Sequence, residues 1–131
     1  MTLETLEGAI DLKNYIGELE DKLRRARARA VSTVTSLSTV PGSSAISDKV
    51  GNNAAEIAVL KYELMLTRME YRHISKWING IEDHATRKIF ARKYLYGDSM
   101  RRIACDFGFD RRELKAFIEQ ALSSLLQEVR I

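Results

Sequence analysis

The chain has 131 residues, 45% hydrophobic and 30% charged, with a net charge of +3. That balance describes a folded chain of one small domain, or one domain with an extended appendage, and excludes a disordered tail. No apolar run reaches membrane-spanning length, the N-terminus lacks a signal-peptide layout and Cys105 has no internal disulfide partner, so a cytoplasmic protein without a membrane partner is expected.

Charge is unevenly spread. Residues 1–83 hold eleven Lys/Arg and twelve Asp/Glu, while residues 84–131 hold ten and six. The positive excess gathers at the C-terminal end, as nucleic-acid binding requires. Proline occurs once, at position 41, which favours helix. The expected fold is all-α: a long antiparallel helical hairpin of coiled-coil character over 1–82, with a linker at 31–47, then a three-helix helix-turn-helix unit over 83–131.

Residues 3–30 predict one helix, with Leu12, Ile16, Leu19, Leu23, Ala26 and Ala30 as a heptad seam. The run from Arg24 to Arg29 reads as a solvated last turn, offset by Glu18, Glu20 and Asp21; a phosphate-contacting patch is the sharper alternative. From Val31 to Asn53 the Ser/Thr content and the Pro41-Gly42 pair predict a turn and linker. A second long helix is expected from Ser47 or Asp48 to about Asn79. Its seam is Val50, Ala54, Ile57, Leu60, Leu64, Tyr71, Ile74, Ile78 and Ile81, with Thr67 the weak step. Tyr62, Tyr71 and Trp77 read as packing residues. Two helices make a thin core, so packing on the C-terminal part or pairing into a homodimer is expected.

A third helix is expected from Asp83 to Tyr96, with Arg87, Lys88, Arg92 and Lys93 on its outer face as phosphate contacts. Asp98 or Ser99 then caps a short helix through Phe107. Gly108 supplies the turn, and Asp110 with Glu113 has capping-box spacing for the helix that follows. Ile103, Ala104, Phe107, Leu114, Phe117 and Ile118 face inward. Arg111 and Arg112 then stand where base edges are read, with Lys115 and Ala116 one turn on; arginine there suits guanine O6 and N7. Arg101 and Arg102 join the phosphate contacts. Glu119 faces DNA unfavourably unless it accepts from a cytosine N4 or lies outside the groove. Beyond it, Ala121, Leu122, Leu125, Leu126 and Val129 form an apolar strip expected to pack back on the hairpin or on a partner chain.

The stretch KYLYGDSMRRIACDFGFDRRELKAFIEQAL resembles sigma factor region four and, more closely, the phage late-gene transcription regulators of the ArpU and RinA type. In those proteins a YLxGxSxxxIAxxLGxS pattern precedes the recognition helix. The N-terminal helix, the Ser/Thr/Pro/Gly linker and the SDKVG stretch at Ser47–Gly51 extend the resemblance over most of the chain. It implies a regulator that binds double-stranded promoter DNA and activates late genes, with sigma-like contacts to RNA polymerase. Phe107, Asp110, Glu119 and Gln120 depart from the family pattern.

Other chemistries find little support. His73 and His84 lie apart with no cysteine partner, so no metal site is expected. No histidine neighbours Cys105 in sequence, and no phosphate loop or carboxylate constellation is present. The expectation is a non-enzyme without cofactor or small-molecule substrate. Two alternatives stand beside the regulator: a DNA-packaging adaptor like a terminase small subunit, and a coiled-coil interaction protein that binds no DNA.

Overall fold

The computed structural model describes residues 1–37 and 44–127, with side chains for 1–32 and 51–127. Every element among them is helical: α1 (Leu3–Glu7), α2 (Ala9–Leu37), α3 (Ser44–Asn79), α4 (His84–Phe90), a π turn (Ala91–Leu95), α5 (Met100–Phe107) and α6 (Arg111–Gln127). The chain forms two compact units. One joins Met1–Lys13 to Glu70–Ile131; the other is Asn14–Met69. Sequence alone divided it at 82/83.

Several boundaries differ from expectation. The single helix over 3–30 is interrupted at Gly8 and runs on to Leu37. Thr2 opens α1 by accepting from the Thr5 amide at 3.1 Å, and Leu12 N–H donates to the Gly8 carbonyl at 3.0 Å as α2 begins. Val31–Leu37, expected as linker, is helix. Serine, threonine and valine cost helix only a few tenths of a kcal/mol each, and neither glycine nor proline interrupts this segment. α3 likewise begins earlier, at Ser44. The Pro41-Gly42 pair and Val129 lie outside the described residues.

In the unit of residues 14–69, Leu19, Leu23 and Ala26 of α2 bury against Leu60 and Leu64 of α3, with Tyr15, Ile16 and Ile57 partly covered. Polar pairs also join the two helices. Tyr15 donates to Glu63 at 2.8 Å, Arg29 pairs with Glu56 at 2.7 Å, and Arg68 with Glu20 at 3.0 Å. Thr67 is buried, its hydroxyl donating to the Glu63 carbonyl at 2.8 Å. That bond satisfies the polar group and explains why the weak step of the seam is tolerated. Ala54 departs from the expected seam and is exposed; Tyr62, expected to pack, is 62% exposed. Within this unit the Arg24 guanidinium pairs with Asp21; because α2 continues to Leu37, the arginine run expected in its last turn lies inside the helix instead.

The other unit is built around Leu6, Ala9, Ile74, Ile78, Ile89, Phe90, Ile103 and Leu114, all essentially removed from water, with Ala104 and Ile118 also buried at their edge. Each fully buried aliphatic or aromatic side chain contributes about 1.5–3 kcal/mol of transfer free energy. Tyr71 and Trp77 pack partly on this core, as expected. α3 ends where the Gly80 amide turns back to the Lys76 carbonyl at 3.0 Å. Asp83 then caps α4, accepting from the Thr86 amide at 3.0 Å and its hydroxyl at 2.6 Å. Those bonds hold its carboxyl below the usual carboxylate range.

The helix expected over Asp83–Tyr96 is α-helical only to Phe90 and then widens into the π turn. The Tyr96 amide reaches the Ala91 carbonyl at 3.0 Å, and the Asp98 amide reaches the Arg92 carbonyl at 2.9 Å around Gly97, whose φ is 72°. The wider turn buries both Tyr94 and Leu95. Such π segments often mark functional sites.

Candidate nucleic-acid interface

The basic C-terminal segment is placed by local chemistry that was legible in advance. Ser99 accepts from the Arg102 amide at 3.2 Å and starts α5. Gly108 ends it in the left-handed region, φ 73°, and the Phe109 amide closes back on the Ala104 carbonyl at 2.9 Å. This is the 6→1 bond of a glycine C-cap. Asp110 then accepts from the Glu113 amide at 2.8 Å and fixes the start of α6 at Arg111. The amide bond to Glu113 holds the Asp110 carboxyl low, while the neighbouring Asp110 carboxylate pushes Glu113 up. Phe109 and Phe117, with ring centroids 5.5 Å apart, pack the turn on α6.

α6 is phased by its buried residues. Leu114 is fully buried and Ile118 3% exposed, and Ala121, Leu122 and Leu125 also pack on the core. The apolar strip expected to reach the hairpin or a partner is therefore used, in part, inside this unit. At 100° per residue, burying Leu114 and Ile118 turns Arg112, Ala116 and Glu119 to the far side and Lys115 to one flank, while Arg111 shares the phase of the buried face and is exposed as the first residue of α6. All five are exposed. The side chains of Arg111, Arg112 and Lys115 make no hydrogen bond or ion pair with another described residue. Two arginines at a helix N-terminus oppose the helix dipole, so the helix itself gains nothing from them.

The expected phosphate contacts separate into two groups. Lys93 shares a cleft of about 600 Å³ with Arg111, Arg112 and Lys115, and its Nζ lies 5.3 Å from the Tyr94 ring centroid. Arg101 lines a second cleft with Arg111, beside Cys105 and Phe109. Lys88 and Arg102 are exposed. Arg87 and Arg92 are not free cations on an outer face. Arg87 is half-buried, donating to the Ile81 carbonyl at 3.0 Å and contacting His84 Nδ1 at 2.8 Å. Arg92 is clasped by Asp98 at 2.8 Å and Asp106 at 2.7 Å. The first four-cation face was read without its acids, which arrive from residues later in the chain.

Two features escaped sequence reasoning. Leu3 and Glu7 of α1 also line the cationic cleft, so an acid from the N-terminal helix shares it with Lys93 and Lys115. The hydroxyl of Tyr94, which also lines the cleft, is buried without a hydrogen-bond partner among the described residues, and burial followed by the nearby Glu7 pushes its pKa up to about 12. Neither has a sequence signal, because both depend on where α1 docks.

Compared with protein-family models, with curated proteins and with solved structures, the chain matches none.

Proposed function

We propose that the chain is a sequence-specific DNA-binding transcription regulator, a phage late-gene activator of the ArpU and RinA type. In this reading α2 and α3 form a hairpin scaffold, and α5, Gly108 and α6 form a helix-turn-helix whose α6 enters the major groove. Arg111 and Arg112 read base edges, Ala116 packs on a thymine methyl, and Lys115, Lys93, Arg101, Arg102 and Lys88 hold phosphates.

The observation that carries the proposal is the exposed, unpaired pair Arg111–Arg112 at the first turn of α6, set there by the αL turn at Gly108 and the Asp110 cap. A dipole-opposed arginine pair suits an anion brought from outside. Arg92 and Arg87, taken up in internal contacts, act in this reading as positioning residues.

The test is selection of bound sequences from random duplex DNA by the purified full chain at low salt. Enrichment of one motif, with affinity that falls steeply as salt rises, supports the regulator reading. If no duplex is retained at low salt, the non-DNA-binding interaction protein is the better description.

A further inference from the structure

α3 carries a second apolar row that the described residues leave uncovered. Ala55, Val59, Tyr62, Leu66 and Met69 follow at spacings of four, three, four and three, the heptad rhythm of a two-stranded seam. By helical phase they lie opposite Leu60, Leu64 and Thr67, which are buried. Val59 is 63% exposed, Tyr62 62%, Met69 57% and Leu66 40%, with Met65 beside the row at 49%. Scattered exposed apolar residues are ordinary, but a contiguous row with four large ones, and Met65 beside it, is not.

Area and charge indicate what covers the row. With Met65, these side chains leave on the order of 500 Å² in water, towards the upper end of the largest patch a monomer typically shows. Two such rows joined bury about 1,000 Å², the lower bound for a specific interface. Charge is sorted to the two flanks of the row, Glu56, Glu63 and Glu70 on one side and Lys61, Arg68 and Arg72 on the other; Glu56, Glu63 and Arg68 already pair with α2, which leaves Glu70 facing one way and Lys61 and Arg72 the other to meet a second copy. Parallel copies related by a two-fold axis set the acidic flank of each against the basic flank of the other. Antiparallel copies would set acid against acid.

We propose that this row is the seam on which two copies of the chain pair, through parallel α3 helices. The inference rests on α3 alone and stands whether or not the chain binds DNA. Every residue in the row is exposed on one helix, so its substitution leaves the buried face intact.

Sedimentation equilibrium of the full chain at micromolar concentration tests it. The expected mass is twice the 14.9 kDa of one chain. Combining Tyr62→Glu with Leu66→Glu is expected to return the single-chain mass with helical circular dichroism retained. A second set of variants fixes the direction: in a Cys105→Ser background, Tyr62→Cys and Met69→Cys are each expected to cross-link to themselves on oxidation, because parallel pairing places like positions opposite each other. A single-chain mass for the unsubstituted protein, a mass above two chains, or a dimer untouched by the glutamates overturns the seam. Cross-linking of Tyr62→Cys to Leu66→Cys in place of self-linkage overturns the parallel arrangement.

Discussion

Arg92 and Asp106 form an ion pair at 2.7 Å, and the same guanidinium reaches Asp98 at 2.8 Å through Nε. One side chain thereby ties the π turn, the loop after it and α5 together. Its carbon Cζ also lies 5.9 Å from the Phe107 ring centroid. The hydrogen bonds to Asp98 and then Asp106 raise the arginine pKa further, so it stays charged. Arg92→Ala is expected to lower the urea midpoint clearly more than Lys88→Ala, whose side chain is exposed. Arg92→Lys is expected not to restore it, since an ammonium lacks the fork that serves two carboxylates. Equal midpoints for Arg92→Ala and Lys88→Ala, followed by circular dichroism, would contradict this role.

Two glycines with nearly the same backbone angle should respond differently to alanine. Gly108 has φ 73° and open space where a Cβ would stand; Gly97 has φ 72° and the Ile10 Cδ1 atom 3.2 Å from that point. Gly108→Ala is expected to cost about 1–2 kcal/mol, the left-handed penalty alone, and Gly108→Asn less. Gly97→Ala is expected to cost more than Gly108→Ala because Ile10 must also give way. Thermal denaturation of the three variants checks the order.

The N-terminal segment is part of the basic unit's core, since Leu6 is as fully buried as Leu114. Leu6→Ala and Leu114→Ala are each expected to destabilise by about 2–5 kcal/mol. A Leu6→Ala variant with unchanged urea midpoint would show that α1 does not dock there.

Tyr94 predicts an alkaline limb. Its folded pKa is about 12 against the usual 10.0. A raised tyrosine pKa means that the folded state holds the proton more tightly, so this contribution is whole below about pH 10 and is lost as pH rises towards about 12. Tyr94→Phe is expected to remove that loss. Because the hydroxyl has no partner among the described residues, the substitution is also expected to stabilise the protein at neutral pH by about 1 kcal/mol. Urea titrations at neutral and alkaline pH measure both effects, and a destabilised Tyr94→Phe would show that the hydroxyl is satisfied.

What could be read in advance was local. The caps Ser99 and Asp110, the turn at Gly108 and the inward face Ile103, Ala104, Leu114 and Ile118 depend on neighbours within a few residues, and each is placed as the residue types demand. What could not be read depends on distant partners. Arg92 reads as a surface cation in its local sequence because its acids lie six and fourteen residues on. Tyr62 reads as a packing residue because aromatic spacing does not say which face of α3 the rest of the chain covers. α3 has two apolar rows, and hydropathy alone does not rank them. The Ser/Thr run after Ala30 looked like linker because composition was weighed above the absence of a helix breaker; helix continuity through Leu37 reverses that order.

The central claim is that Arg111 and Arg112 read DNA. The most direct measurement is the fluorescence anisotropy of the enriched duplex titrated with the full chain and with Arg111→Ala and Arg112→Ala. The account predicts that each variant loses about 1–3 kcal/mol of binding and discriminates less between the enriched duplex and one altered at the contacted bases. Binding by both variants that is as tight and as selective as that of the unsubstituted chain would contradict it.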